Sequence, residues 1–456
     1  MKINLLQKIS LAVISLLLPV TTAAAQESDI AQKLEENIRG RIAFGLNPGI
    51  SIGIIDENGT RYYGYGDTAL NFNSIPNKDT VYEIGHITQT FTGLLLADML
   101  ERGLLQLSDP VQNLAPDSIN LNVRDENPIT LLSLATHRSG LPYIPITQAR
   151  EATQLLDPYS LSEMLDFLPQ YSPSQDVDEK MQYSFLGYGL LGYALASKSD
   201  LSYEELLRSR ILAPLDMANS GITLSEAMQE KLAPRGKLPS NIMQVSSYES
   251  VAMAPAVALK SSAEDMLKYL AVNLGLAEST LDAATVTSHL PRSEFIDWHI
   301  GLGWFIRGEE DETQHFQYGS TRGYSAFLGF SKSEKKGVVV LTNSNENIND
   351  IGHFLLDPST LLPTAVLSRR VTSLNFISPE SPPEAKLEGI SGYVLTEFTI
   401  DSNGHTKNIK IVESDPPEIF EDSALEAAGR LRYTPRIDRG RKVEVHNFQH
   451  QFQFNN

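Results

Sequence analysis

The spacing of apolar residues predicts a sheet formed from both ends of the first large region, with helices between them. The run "GISIGII" at 49–55, a turn at 57–59 and the aromatic stretch "RYYGYG" together predict a β-hairpin. From Thr90 to about Leu290 the pattern is mainly helical, and strand-like segments return over 302–344 before a closing helix in "INDIGHFLL". These elements predict an α+β domain with its cleft where the sheet meets the helices.

The pattern changes beyond Leu356. Pro- and Ser-rich stretches over 357–377 predict a linker, and 378–456 is predicted to form a separate small β-α-β domain of about eighty residues. Its first hairpin turns at 402–404, and an amphipathic helix with Leu425 and Leu431 inward precedes a last alternating strand. The positions expected to face inward on the first strand of this domain are Val394, Thr396, Phe398 and Ile400.

The N-terminus has the pattern of an export signal. Lys2 and Lys8 precede the apolar run "ISLAVISLLLPV", and "TTAAAQ" provides the small residues that a signal peptidase requires. Cleavage near Ala25 predicts a signal peptide over 1–25 and a first mature domain over 26–356. The alternative is an uncleaved membrane anchor, for which the uncharged run is short and is interrupted by a proline. No other stretch is long and apolar enough to cross a bilayer, which favours an exported, soluble protein.

Composition excludes several classes of function. The formal net charge of −19 argues against nucleic acid and anionic membrane as partners, because both are polyanions. The 456 residues include no cysteine, which excludes disulfides, thiol nucleophiles, thiolate metal sites and a lipoprotein anchor. The nine histidines are scattered, and His446 and His450 share an alternating strand without the spacing of a metal site. Neither a metal nor a cofactor is predicted.

The stretch "VYEIGHITQTFTGLLLADML" at 81–100 is the main candidate for a functional site. A strand-like start passes through Gly85 into a long amphipathic helix, and His86 and Gln89 lie three residues apart at its mouth. Residues spaced in this way share one face of a helix, and the first turn carries the positive end of the helix dipole. This arrangement suits a pair of chemical groups buried at the edge of a cleft.

Residues 30–356 resemble the β-lactamase-related family, which includes class C β-lactamases, D-alanyl-D-alanine peptidases and esterases. The resemblance implies an antiparallel sheet flanked by helices, with a helical subdomain. It also implies serine hydrolysis, in which a Ser-x-x-Lys pair forms an acyl-enzyme, a Tyr-x-Asn element handles a proton, and a Lys- or His-x-Gly strand completes an oxyanion hole. The matching segments are "PGISIGII", "VYEIGHITQTFTGLLLADML", "ITLLSLATHRSGLP", "YSFLGYGLLGYALA", "ILAPLDMANSGIT", "LKSSAEDMLKYL", "GLGW" and "GYSAFLGFSKSEKKGVVVLTNS".

This sequence departs from the family at most of the positions that carry its chemistry. His86 and Gln89 stand where the family has serine and lysine, and "YSF" keeps Tyr183 but places Phe185 at the asparagine position. The third motif becomes Gln317-Tyr318-Gly319, which retains the glycine alone. No catalytic residue is therefore identified. The substrate-binding positions that the resemblance implies are Tyr183, Tyr318, Gly319 and Ser320.

Three other hydroxyl groups could replace the missing serine. Ser333 and Lys336 form a Ser-x-x-Lys pair, but they fall in the solvated turn of a predicted hairpin. Ser184 has no identifiable basic partner and is interpreted as a helix-start or structural hydroxyl. Thr88 points a different way around the helix from positions 86 and 89. None of the three is predicted to be a nucleophile.

Two histidines near these motifs have structural interpretations. His86 could act as a general base or hold an acyl group, but the favoured hypothesis is an imidazole that fills the serine position and bonds to Tyr183 or Gln89. His137 lies in "THRSGLP", a loop pattern that the family uses structurally.

The segment 378–456 resembles the TonB C-terminal domain. The matching features are "SPPEA", "GYVLTEFTIDSNGHTKNIKIVES", "FEDSALEAAGRLR" and "YTPR", and the tryptophan usual near Leu431 is missing. The resemblance implies that a strand from an outer-membrane partner is added to the sheet. The inner-membrane anchor and long Pro-rich reach of an energy transducer are not visible in the sequence. The predicted partner is therefore a peptide or an envelope protein strand in the periplasm of a Gram-negative cell.

Three hypotheses of function follow. The altered motifs favour a catalytically inactive pseudoenzyme that binds a peptide or a peptidoglycan fragment. The first alternative is an active peptidase, esterase or β-lactam hydrolase that works through altered residues such as His86 and Tyr183. The second is a structural envelope protein, because a fold does not carry a function without its site.

Overall fold

A computed structural model describes most of the chain. Its contacts separate two compact units, one of which takes in residues 41–362 and the other residues 363–456. The described residues are 18–68, 74–115, 117–121, 127–145, 159–173, 175–235, 252–309, 312–360, 362, 377, 379–433, 436–438 and 441–454.

The first unit is organised around a large antiparallel sheet. The strands of the unit are β1 Gly49–Asp56, β2 Gly59–Gly66, β3 Val81–Glu83, β4 Lys260–Ser262, β5 Ser293–Phe295, β6 Trp298–Ile300, β7 Phe305–Arg307, β8 Gln314–Ser320, β9 Ser325–Ser331 and β10 Lys336–Thr342. Eight of them pair in the order β2-β1-β10-β9-β8-β7-β6-β5, and β3 and β4 form a separate pair. The predicted hairpin is confirmed as β1 and β2. Both ends of the region contribute to one sheet, as the sequence predicts.

Helices cover both faces of this sheet. The helices between Leu18 and Leu356 are α1 Leu18–Ala43, α2 Thr88–Glu101, α3 Leu131–Ala135, α4 Leu161–Phe167, α5 Phe185–Lys198, α6 Tyr203–Leu207, α7 Glu226–Lys231, α8 Ala254–Val257, α9 Ala263–Asn273, α10 Asp282–His289 and α11 Asn349–Leu356. Helix α9 packs on β1 and β10, and α11 packs on β9 and β10. On the α11 side Gly352 lies against the ring of Phe327. Burial on both faces explains the continuous apolar sequence of β1.

Helix α2 lies inside the helical part of the unit. Every residue from Thr88 to Met99 is buried, so the helix predicted to be amphipathic is enclosed on all sides. Its threonines are hydrogen-bonded, as when Thr92 Oγ1 donates to the carbonyl of Pro255 at 2.6 Å. The mouth of α2 is therefore held in a rigid surrounding.

The second unit is a three-stranded antiparallel sheet with a helix. Its elements are α12 Pro383–Glu388, β11 Gly392–Ile400, β12 Thr406–Asp415, α13 Glu421–Arg430, β13 Arg436–Asp438, β14 Arg441–Val443 and β15 Val445–Phe454. The strand order is β12-β11-β15. Strands β13 and β14 form a separate hairpin that the β-α-β prediction did not include. All four positions predicted to face inward on β11 are buried.

Helix α13 confirms the predicted helix but has a different inward face. Ala424, Ala427 and Ala428 are buried, whereas Leu425 is half-buried. Positions i, i+3 and i+4 share one face of a helix, and Leu425 lies to one side of that face. The buried Leu431 follows the end of the helix as its cap residue.

Helix α1 begins at Leu18 and continues across Ala25 to Ala43. Cleavage near Ala25 stays a prediction, and so do the domain limits at 356 and 378, since most of the linker lies outside the described residues. In the part of the chain that the structure describes, no helix combines the length and apolarity needed to span a membrane.

Candidate active site

Close backbone packing fixes the mouth of helix α2. Strand β3 leads to Gly85, which has a φ of +53° and begins a 3-10 turn over Gly85–Ile87 immediately before α2. A Cβ on Gly85 would lie 2.6 Å from the backbone nitrogen of Ser320. A Cβ on Gly319 would lie 2.0 Å from the carbonyl oxygen of Ile84. Glycine is required at both positions, so the end of β8 is held directly against the mouth.

His86 and Gln89 both lie at this mouth, in different environments. His86 is partly exposed, and its imidazole packs against Phe185 with ring centroids 4.6 Å apart. Gln89 is fully buried, and its Oε1 accepts a hydrogen bond from Tyr183 Oη at 3.0 Å. The Gln89 Nε2 is buried with no hydrogen-bond partner among the described residues. His86 was expected to bond to Tyr183 or Gln89. Tyr183 and Gln89 instead bond to each other, and the His86 imidazole contacts the Tyr183 ring without a hydrogen bond.

Tyr183 is positioned by the start of helix α5. Ser184 caps this helix: its Oγ accepts from the N–H of Gly187 at 2.8 Å and donates to the carbonyl of Pro142 at 2.6 Å. The N–H of Ser184 donates to His137 Nδ1 at 3.2 Å. The His137 ring stacks on the Tyr183 ring at a centroid distance of 4.0 Å. The helix-start role predicted for Ser184 is confirmed, and the structural role of His137 includes holding the tyrosine.

The titratable side chains at the mouth are uncharged at neutral pH. Burial lowers the pKa of His86 to about 4. Burial, with a smaller contribution from His86, lowers the pKa of His137 to about 3. Burial also raises the pKa of the Tyr183 hydroxyl above its usual range, which outweighs the hydrogen bond to Gln89. Each shift favours the neutral form, so His86 is a weak base and Tyr183 stays protonated.

Gln317 links β8 to the loop before β7. Its Nε2 donates to the carbonyl of Gly303 at 2.9 Å, and its Oε1 accepts from the N–H of Tyr318 at 2.9 Å. The side chain is buried and uncharged, in contrast to the lysine or histidine that the family has at this position. The backbone N–H of Tyr318, on the edge of β8 beside the mouth, therefore already has a hydrogen-bond partner within the protein.

Tyr318 lies apart from the other predicted site residues. Side chains alternate along a strand, and Tyr318 Oη is 2.7 Å from Nε2 of His353 on α11. Gln317 and Gly319 lie on the opposite face of β8, where Gly319 meets the strand that leads into α2. The structure thus does not bring the Tyr318 side chain to the mouth, contrary to the expectation from the motif. Ser320 is exposed, and it is its backbone that meets the mouth.

An aromatic wall borders the mouth, and its full extent was not predicted from the sequence. The ring of Tyr143 lies 4.3 Å from that of Phe185 and 6.5 Å from that of Tyr183. Tyr143 is 49% exposed, so this wall reaches the surface. Its sequence signal is an aromatic residue directly after "THRSGLP". Phe185 thus replaces a hydrogen-bonding amide with an apolar ring.

The other two hydroxyl groups considered as nucleophiles, those of Thr88 and Ser333, have no basic group positioned to activate them among the described residues. Thr88 Oγ1 donates to the carbonyl of Gly85 at 2.6 Å and accepts from the N–H of Leu259 at 3.1 Å. Ser333 is exposed in the turn between β9 and β10, as predicted, while Lys336 pairs with Ser331 across that hairpin and is half-buried. Among the described ranges, no group of three or more His, Asp or Glu residues could hold a metal ion.

The fold and the site define a domain of the class C β-lactamase and DD-peptidase type in which the reactive side chains are altered. Residues 34–352 match the family model named Beta-lactamase, and residues 378–455 match the model for the Gram-negative bacterial TonB protein C-terminal domain. The chain belongs to the β-lactamase family and carries a TonB C-terminal domain.

Curated relatives and solved structures agree with this assignment. The chain is 25% identical to a β-lactamase of Escherichia coli K12 over 332 residues, covering 65% of this chain and 84% of that protein. It is 29% identical to the D-alanyl-D-alanine-carboxypeptidase/endopeptidase AmpH of the same organism over 218 residues, covering 47% and 56%. A solved class C β-lactamase superposes with a TM-score of 0.64 at 20% identity, covering 74% of this chain and 98% of that one. At that identity the structural match shows the fold alone.

Proposed function

We propose that the first domain is a pseudoenzyme that binds a peptide or a cell-wall fragment without forming an acyl-enzyme. The hydrogen bond from Tyr183 Oη to Gln89 Oε1 carries this proposal. The family has lysine at the position of Gln89, where it helps to deprotonate the serine. In this chain the tyrosine donates to a neutral amide, which cannot accept and pass on a proton in the same way.

The substituted nucleophile position supports the same conclusion. An edge of the imidazole in the place of the serine reaches the surface, but most of the ring is shielded from water, which lowers its pKa to about 4. Its ring packs on Phe185, and among the described residues no carboxylate or lysine is bonded to it. A group that lacks both an orienting partner and a proton acceptor is poorly suited to start acyl transfer.

The backbone of the cleft supports a retained binding role. Gly85 and Gly319 keep the end of β8 against the mouth of α2, as an oxyanion hole in this family requires. The aromatic wall of Tyr143, Tyr183 and Phe185 adds apolar surface beside this frame. Aromatic surface beside a fixed backbone frame is typical of a ligand site.

Hydrolysis through altered residues is the second candidate function. The observation that favours it is the partial exposure of His86 at the position of the family nucleophile. In this mechanism the imidazole would attack the substrate or activate water, and Tyr183 would donate to the leaving group.

Acylation assays separate the two functions. The protein is incubated with a fluorescent penicillin, a chromogenic cephalosporin and a short-chain ester, with His86→Ala as the matched variant. The pseudoenzyme predicts no covalent label and no turnover above the buffer rate in either protein. Turnover that disappears in His86→Ala would contradict it and establish the second function.

A restoration experiment tests whether the cleft keeps its shape. The variant with His86→Ser, Gln89→Lys, Phe185→Asn and Gln317→His restores the side chains that the family chemistry needs. If the backbone frame is intact, we expect this variant to be labelled by the fluorescent penicillin. Absence of labelling in a folded variant would favour a structural protein whose cleft has no ligand.

We also propose that the C-terminal domain binds a strand of an envelope protein in the periplasm. Its sheet has β12 and β15 at its two edges, and an edge strand can pair with an added strand. Capture of periplasmic or outer-membrane proteins by the full chain, compared with a chain that ends at residue 377, tests this role. Equal capture by both chains would contradict it.

Export and processing are part of the same proposal. Cleavage after Ala25 by a signal peptidase would leave Gln26 as the first residue of the mature protein. N-terminal sequencing of the protein from the periplasmic fraction should give "QESDI". An intact N-terminus in the membrane fraction would instead establish an uncleaved anchor.

A further inference from the structure

A cavity of about 570 Å³ opens beside helix α6. Its lining comes from residues 202–204 at the start of α6, from residues 222–224, from Gln229 on α7 and from Ala254 at the start of α8. Small-molecule sites in proteins have volumes of roughly 300–1,000 Å³, so the cavity is large enough for an organic ligand. None of its lining residues belongs to the mouth of α2, and the function proposed for the mouth gives this cavity no role.

The buried part of the lining is fixed in the core by Tyr203. Thr92 on α2 gives its hydroxyl hydrogen to the carbonyl of Pro255, so Tyr203 Oη is the donor in its own 2.6 Å hydrogen bond to Thr92 Oγ1. A Cβ on Gly192 would lie 3.1 Å from Tyr203 Cδ2, so helix α5 packs directly on the tyrosine ring. The ring is therefore an apolar surface that is in place before any ligand arrives.

The segment 222–224 forms a second wall that is also held by hydrogen bonds. The N–H of Thr223 donates to Glu204 Oε1 at 2.8 Å, and Thr223 Oγ1 donates to Glu204 Oε2 at 2.7 Å. Gln229 Nε2 donates to the carbonyl of Leu224 at 3.2 Å. These bonds join the lining residues of the segment to those of α6 and α7. A wall that is already ordered lowers the entropic cost of binding.

Glu204 gives the cavity a negative charge, and no lysine or arginine is among the described residues that line it. Its side chain is 26% exposed, so a ligand can reach the carboxylate. Arg208 Nη2 lies 3.7 Å from Glu204 Oε1, but the arginine side chain is 64% exposed, so this ion pair is weak. A carboxylate has about four lone-pair positions, and the bonds from Thr223 use two of them. The cavity therefore offers acceptors to a positively charged donor.

We propose that this cavity is a second ligand site, which binds an organic cation with an ammonium group and a compact apolar body. The ammonium group pairs with the carboxylate of Glu204 in a charge-assisted hydrogen bond, and the body lies against Tyr203 and Ile222. A neutral ligand of the same shape gains only the apolar contact, and an anion is repelled by the carboxylate. The site does not depend on the function proposed for the mouth of α2.

The test uses three probes that share a phenyl body and differ in charge. At pH 7.5, 2-phenylethylamine is a cation, 2-phenylethanol is neutral and phenylacetate is an anion. Calorimetric titration of the full chain is carried out with each probe at one ionic strength, set with sodium chloride. We expect the amine to bind about tenfold or more tightly than the alcohol, and phenylacetate not to bind. Equal binding of the amine and the alcohol, or tighter binding of phenylacetate, overturns the proposal.

The matched variants are Glu204→Gln and Glu230→Gln. Glu230 is exposed on α7 and does not line the cavity, so both changes remove one negative charge but only the first removes it from the site. Glu204→Gln should weaken binding of the amine by about tenfold or more. Glu230→Gln should change it by less than about twofold, because an exposed charge outside the cavity is screened. Equal effects of the two variants contradict the proposal, and if Glu204→Gln fails to fold the three probes decide it on the unmodified protein.

A third variant separates this cavity from the aromatic wall at the mouth, because an ammonium group also binds to aromatic rings. Tyr143→Ala removes the exposed ring of that wall and should leave the affinity for 2-phenylethylamine unchanged. Weaker binding in Tyr143→Ala with unchanged binding in Glu204→Gln would place the amine at the mouth and overturn the proposal. Acylation by a penicillin would overturn the pseudoenzyme and leave the cation site standing.

Discussion

The backbone and the side chains at the mouth of α2 differ in how much of the family pattern they keep. Gly85 and Gly319 retain the close approach of β8 to the helix, with distances that admit no side chain. His86, Gln89 and Phe185 occupy the positions of the reactive serine, lysine and asparagine with side chains of different chemistry. The shape of the cleft thus depends on one set of residues and its chemistry on another.

This difference has a physical basis. Contacts between two backbones fix the relative position of a strand and a helix, and a change there disturbs the core. A change of a side chain at the cleft surface costs only its own contacts and hydrogen bonds. A cleft can therefore lose its reaction and keep its form, and the following predictions test how separate the two properties are.

Gly85→Ala should have the largest effect, because its Cβ would meet the backbone of Ser320 at 2.6 Å. We expect a loss of about 4 kcal/mol or more in the free energy of unfolding, measured with denaturant. Gly275→Ala is the matched control: Gly275 also has a positive φ, of +69°, but no atom lies within 4 Å of its Cβ position. The control should lose only about 1 kcal/mol. Equal losses would show that φ, and not the contact with β8, dictates glycine at position 85.

Stability at acidic pH should depend on the histidines that support the mouth. The pKa of His137 is about 3 in the folded protein, against an ordinary value near 6.5, so the unfolded chain binds more protons between these values. The free energy of unfolding should therefore fall as the pH drops below about 6.5. This residue alone contributes a slope of about 1.4 kcal/mol per pH unit.

His137→Asn isolates this contribution. Asparagine tolerates the positive φ of 58° at this position, and its side-chain oxygen can accept from the N–H of Ser184. The variant should be less stable than the wild type at pH 7.5, where both side chains are neutral, because the stacking on Tyr183 is lost. Its stability should then fall less steeply between pH 6 and pH 4. Parallel curves for the two proteins would show that His137 does not contribute.

The hydrogen bond between Tyr183 and Gln89 should behave as a coupled pair. Tyr183→Phe leaves a buried amide oxygen unpaired, and Gln89→Leu leaves a buried hydroxyl unpaired, so each should cost about 1–3 kcal/mol. The double variant removes both polar groups and should cost less than the sum of the two single changes. Denaturant unfolding of the four proteins gives the coupling energy. Strict additivity would mean that the bond does not hold the site together.

The sequence predicted the elements of the fold well because their signals are local. Alternating apolar residues identified β1, β2 and β11, and motif spacing located the mouth of α2. The face of α13 was predicted less well, because alanines, and not Leu425, pack against the sheet. Small residues carry a weak hydrophobic signal, so the pattern alone did not show which side of that helix is buried.

The site was harder to predict because its contacts join distant parts of the chain. The motifs identified His86, Gln89 and Tyr183 as site residues. They did not show that the tyrosine bonds to Gln89 and not to His86. That choice depends on which side chain reaches Tyr183 Oη across 94 positions of sequence.

The smallest expected effect on stability comes from a substitution on β8 at Tyr318, on the face away from the mouth. Tyr318→Phe removes the hydroxyl that lies 2.7 Å from His353 Nε2, on the face covered by α11. We expect a loss of about 1 kcal/mol in stability and no change in the binding of any cleft ligand, because the Tyr318 side chain lies away from the mouth. Gln317→Met, on the opposite face, removes the bonds to Gly303 and to the N–H of residue 318, so it should change ligand binding as well. Calorimetric titration of both variants with a soluble peptidoglycan fragment measures the contrast, and weaker binding by Tyr318→Phe would show that the Tyr318 side chain does contribute to the ligand site.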